Sequence, residues 1–192
     1  MATATARALG GLLHDLTNEE LLALTISDHR PALKAFLAAL IAKMWHPVSY
    51  DQSMGLTALI ERAVGPRNLD SINHYIIPER FSLKGKGVWA VKCRVEAYLD
   101  GETSEEAAKR LTTAGHILGN TGDLAGFLHD HPDEVAKWQG WVLAISEDSR
   151  WADSDGVVCV PDASVYGTRR SFSLGGFRRR LSPRCGVLVL SE

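Results

Sequence analysis

One stretch of this sequence lacks five residue types altogether. Between Ala152 and Ser191 there is no Lys, Glu, Gln, Met or Trp. Those types fill 27 of the first 151 positions, so about seven would be due in the window. Its basic residues are all Arg: Arg169, Arg170, Arg178, Arg179, Arg180 and Arg184. A solvated surface ordinarily draws on Lys, Glu and Gln as well, so solubility does not account for the choice. Cysteine is scarce too. Cys93, Cys159 and Cys185 are too few and too scattered for a disulfide framework or a zinc cluster. Cys159 and Cys185 would meet only if their strands pair, and separate thiols are the favoured reading. No apolar run reaches the length of a membrane span. The first residues carry one basic side chain, Arg7, and make a poor signal peptide, so a cytoplasmic location is expected.

Catalytic signatures are missing as well. There is no phosphate loop, nucleophile elbow or dinucleotide fingerprint. Lys84-Gly85-Lys86-Gly87 lacks the flanks of a phosphate-binding loop and reads as a connector. A protein without cofactor and without enzymatic activity is the expectation.

What is present is the composition of an ordinary globular chain: 192 residues, 45% apolar and 23% charged, enough to bury a core. The net charge of −2 hides an asymmetry, with +3 on residues 152–191 and −5 on the remainder.

Periodicity predicts an α+β chain, with a helical N-terminal region (1–85), a helical middle region (86–140) and a small β-rich C-terminal unit (141–192). Thr17-Asn18-Glu19-Glu20 is a capping box. Leu33, Phe36, Leu37, Leu40, Ile41 and Met44 form the stripe of a helix facing a core. Gly55 to Val64 reads as another helix, closed by Gly65-Pro66. Residues 66–87 are irregular. Val88 to Leu99 fits both periods; Lys92, Arg94 and Glu96 favour helix. Ser104 is expected to cap a helix from Glu105 to about Ala114, with shorter helical pieces at Asp123–Leu128 and Asp133–Trp138. Trp141 to Ile145, Val157 to Val160, the stretch around Phe172 to Leu174, and Gly186 to Leu190 read as strands.

Three clusters carry chemistry to weigh. His129-Asp130-His131-Pro132 is similar to the His-x-His-Pro of JAB/MPN-type zinc peptidases, but Gln139 and Val142 stand where that family needs Ser and Asp. A helix end with His near its last carbonyls is the favoured reading, and no metal is expected. Residues 103–128 resemble a helix-turn-helix unit, yet residues 116–134 hold no Lys or Arg for phosphates or bases. Arg178-Arg179-Arg180 with Phe172, Phe177 and Tyr166 offers charge and stacking for single-stranded nucleic acid, against a plain solvated edge. A nucleic-acid-associated regulator is therefore the alternative reading.

The five missing types carry a resemblance. The C-terminal region is similar to the target proteins of diversity-generating retroelements. In that family a reverse transcriptase misreads template adenines, and AAY codons become NNY. Such codons never encode Lys, Glu, Gln, Met or Trp. The stretch lies towards the C-terminal end, where the family places its variable region. Gly176-Phe177-Arg178 is similar to a strand the family often ends on, although here Gly186 to Leu190 follows it. The resemblance implies a C-type lectin-like fold for the unit and a non-enzymatic display function, with a protein or other macromolecule as ligand. On that resemblance Val158, Val160, Leu174, Val187 and Val189 hold the core. Asp162, Ser164, Tyr166, Thr168, Arg169, Ser171, Ser173, Arg179, Ser182 and Arg184 are expected to face the ligand. Ser and Gly supply fit to such a surface, while Tyr and Arg supply contact area and donors.

Overall fold

The computed structural model describes residues 45–83 and 85–191. The capping box at Thr17–Glu20 and the helical stripe from Leu33 to Met44 lie outside the described residues. From His46 onward the chain forms one unit.

Its eight strands share a single sheet. They are β1 (His46–Asp51), β2 (Val88–Ala97), β3 (Ile117–Leu118), β4 (Val142–Leu143), β5 (Trp151–Ala152), β6 (Val158–Tyr166), β7 (Arg169–Gly176) and β8 (Gly186–Leu190). Four helices accompany them: α1 (Leu56–Val64), α2 (Ser104–Thr113), α3 (Thr121–Asp130) and α4 (Pro132–Ala136). The sheet curls into a half-barrel in the order β1-β2-β8-β4-β6-β5; β3 adds to β8, and β7 to β6. All pairings are antiparallel except β4 with β8.

This corrects the expected fold class. Strands are not confined to a small C-terminal unit behind helical regions, and the C-type lectin-like expectation falls with that division. The last strand, β8, lies between β2 on one side and β3 and β4 on the other, so it is buried at every position. Val88–Ala97, read as helix, is strand β2. Its backbone groups are claimed by His46–Asp51 on one edge and by β8 on the other, and that pairing overrides the helix propensity of Lys92, Arg94 and Glu96.

Helix α2 begins one residue earlier than expected. Thr103 is its N-cap, and Thr103 and Glu106 satisfy each other's backbone N–H groups in a capping box. Asn120 and Asp123 do the same for α3. Residues Gly122 and Gly126 of α3 face β1: a Cβ on Gly126 would stand 2.7 Å from Val48 Cγ1, and one on Gly122 2.8 Å from the Tyr50 hydroxyl. Two glycines four residues apart thus let the helix lie directly on the strand.

The pleat divides the buried residues between two faces. On the first face Leu188 and Leu190 of β8, Val142 of β4, and Ala163 and Phe172 of the β6–β7 hairpin pack with α1 and α3 around Leu56, Ile60, Leu124 and Phe127. On the second face lie Val187, Val189, Leu143 and Val160, each at most 2% exposed. The segment before β8 closes part of that side: Phe177 O accepts from Ser104 N, and Leu181 N donates to Glu102 O. Among the described residues no helix is long and apolar enough to cross a membrane.

Candidate ligand-binding face and its buried carboxyl

The β6–β7 hairpin gathers most of the sequence-predicted ligand positions on one face. Asp162 pairs with Ser173, Ser164 with Ser171, and Tyr166 with Arg169. These six alternate with Ala163, Val165, Phe172 and Leu174, which pack on the first-face core, so all six project to the second face. Thr168 is exposed in the turn behind Gly167, whose φ of 59° suits a residue without Cβ. The Ser164 and Ser171 hydroxyls are 2.7 Å apart. Tyr166 is 90% exposed. Arg169 is tethered: its Nε donates to Ser71 Oγ at 2.9 Å, and its Nη2 lies 3.5 Å from Asp70 Oδ2.

The remaining three candidates lie beyond the hairpin. Ser182 is half-buried and its Oγ accepts from the backbone N–H of the exposed Arg184 at 3.4 Å. Arg179 is exposed, with its guanidinium 5.0 Å from the ring centroid of Trp141. Of the predicted core positions, Val160, Val187 and Val189 are buried, and Val158 and Leu174 half-buried.

A pocket of about 180 Å³ opens where the hairpin meets this segment. Leu143, Asp162, Ser173 and Gly175 contribute from the strands, and Trp141, Arg179 and Leu181 from the flanking segments. Asp162 lies opposite Leu143 in the sheet register and is 5% exposed. Its Oδ1 has no hydrogen-bond partner. Burial pushes the carboxyl up to about 7, against the pull of Arg179. A Cβ on Gly175 would stand 3.1 Å from Asp162 Oδ2, so the glycine leaves the carboxyl room that a larger side chain would take. Trp141, Leu143, Gly175, Gly176 and Leu181 were not among the sequence-predicted site residues. Leu143 and Trp141 belong to an apolar run that reads simply as buried strand, and no local pattern announces that the run ends beside Asp162.

The other clusters are absorbed by the fold. His129 Nδ1 lies 2.7 Å from Asp130 Oδ1, and its Nε2 accepts from Arg62 Nε at 3.0 Å. His131 Nε2 is 2.6 Å from the Pro47 carbonyl oxygen. Among the described residues no group of three or more His, Cys, Asp and Glu side chains is placed to hold a metal ion. Between α2 and α3 runs β3, paired with β8, and α3 is buried from Thr121 through Leu128. A helix so enclosed presents no face to a DNA groove. Arg178 pairs with Glu105 at 3.4 Å, and Arg180 Nη1 donates to Gly101 O at 2.8 Å. Phe172 and Phe177 are 0% and 6% exposed, which withholds them from stacking on bases. The three cysteines are free thiols.

Comparison with known proteins returns no match among family models, curated proteins or solved structures.

Proposed function

We propose that this chain is a non-enzymatic ligand-binding protein whose recognition surface is the second face of the β6–β7 hairpin with the segment leading into β8, and that a retroelement diversifies that surface. The observation that carries the reading is the register. Asp162–Ser173, Ser164–Ser171 and Tyr166–Arg169 are directly opposed pairs on one face, while the alternate residues hold the core on the other. The exposed end of that face, at Tyr166, Thr168 and Arg169, tolerates rewriting because the first face keeps the fold.

Sister copies of the gene test the reading. They should differ at Asp162, Ser164, Tyr166, Thr168, Arg169, Ser171, Ser173, Arg179, Ser182 and Arg184, with codons ending in C or T, and agree at Ala163, Phe172, Val187 and Leu188. A near-repeat and a reverse transcriptase gene should lie nearby. Copies identical across 152–191, with neither neighbour present, would overturn it.

A further inference from the structure

Asp162 is an acceptor kept from water without a donor. A buried polar atom left unpaired costs on the order of 1–3 kcal/mol and calls for an explanation, of which a bound partner is one. Asp162 and Arg179 are the only charged or titratable side chains among those lining the pocket; the strands facing the carboxyl offer Leu143, Ser173 and Gly175. None of these supplies a hydrogen bond to Oδ1. Arg179 meanwhile holds its cation at the Trp141 ring, with the guanidinium 5.0 Å from the centroid. An aromatic face beside a carboxylate is a pair of elements that together select a cation. At about 180 Å³ the space falls short of the several hundred Å³ of sites for drug-sized molecules, so its occupant is a single side-chain-sized group.

We propose that this pocket takes the primary ammonium group of a lysine side chain on a protein ligand, with Asp162 as its acceptor, Trp141 as its π face, and Arg179 as the resident cation that it displaces. This assignment rests on the reading of the β6–β7 face as the ligand surface. An ammonium brings three donors and a compact charge, which suits a lone buried acceptor lining a small pocket. A carboxylate ligand would have Arg179 as its partner but would place its own charge against Asp162.

The test is a titration of the full chain with n-butylammonium chloride, n-butyrate and n-butanol at constant ionic strength, followed by the NMR signals of the Trp141 indole N–H and the Gly175 and Gly176 amides. Butylammonium should shift all three saturably, and the other two probes should not. Asp162→Asn should abolish the response while the variant stays folded, as checked by thermal unfolding. Arg179→Ala should tighten binding severalfold. Affinity should rise about tenfold from pH 6 to pH 8, as Asp162 ionises while the probe stays protonated. Absence of shifts, an equal response in Asp162→Asn, or a preference for butyrate would each overturn the lysine assignment. Butyrate binding would leave the face a ligand surface with the opposite charge preference. Invariant sister copies would remove the diversified-surface reading whichever probe binds.

Discussion

Asp123 and Asp162 are both buried, at 0% and 5% exposure, and they lie on opposite sides of the same sheet. Around Asp123 everything is satisfied. The Tyr50 hydroxyl and the Trp89 indole each donate to its Oδ1 at 3.0 Å, and the Asn120 backbone N–H donates to its Oδ2 at 2.9 Å. Burial raises its pKa, and these three hydrogen bonds oppose the rise. Asp162 has desolvation without such compensation: its Oδ1 is unpartnered, and Arg179 is the charge that opposes the shift. The first carboxylate ties β1, β2 and α3 together. The second stabilises nothing comparable, and it lines a pocket on the face where the sequence shows its odd vocabulary. The difference separates a buried carboxyl bonded into the scaffold from one whose Oδ1 has no hydrogen-bond partner.

The comparison can be broken or sharpened by substitution. The largest effect should come from Asp123→Ala, which orphans three donors. We expect a loss of about 3–5 kcal/mol in urea unfolding; a loss under about 1 kcal/mol would show that the hydrogen bonds around Asp123 hold nothing. Next is the pH dependence of Asp162. Its carboxyl rises from the usual 3.8 to about 7 on folding. The protonated form is favoured in the fold, so the contribution is fully present below about pH 4 and is lost as pH rises through about 7. Between pH 5 and 8.5 the wild type should therefore fall relative to Asp162→Asn by an amount on the order of a few kcal/mol. Parallel pH–stability curves for the two proteins would contradict an ionising Asp162.

Smaller contrasts follow from packing. Gly126→Ala drives a methyl to 2.7 Å from Val48 and 2.8 Å from Tyr50, and we expect about 1–3 kcal/mol of destabilisation by thermal unfolding. Gly175→Ala meets only the Asp162 carboxyl at 3.1 Å and Leu143 at 3.8 Å. It should cost under about 1 kcal/mol of stability while weakening butylammonium binding. Smallest of all, Tyr166→Ala should change stability by less than about 0.5 kcal/mol, since a side chain 90% exposed holds no core. A larger loss would place Tyr166 in the scaffold rather than on the ligand face.

Much of the local structure was legible from pattern. Helix α1 at Leu56–Val64 ends at Gly65 as expected, and Gly186–Leu190 is a strand with the expected bounds. The hairpin was less legible: the pattern bounds a strand at Val157–Val160, whereas β6 runs on to Tyr166 and carries Val158 and Val160 on the same face as Asp162. The short strands escaped notice. In β1 only Val48 and Tyr50 are buried, too few to set a period, and β3 has two residues. Strand β2 was misread because its apolar residues satisfy both periods, and its partners lie at residues 46–51 and 186–190.

Taken alone, the order of residues determined what nearest neighbours decide: where helices cap, which side chains alternate, and that residues 152–191 draw on a narrower vocabulary than the rest. Tertiary structure decided which ambiguous segment became a strand, that one sheet gathers strands from residue 46 to residue 190, and that Asp162 is shut away beside Trp141 and Arg179 while Asp123 is fully bonded. The reason is physical. Hydrogen-bond pairing and desolvation depend on groups brought close in space, and no local spacing encodes which distant residues will arrive.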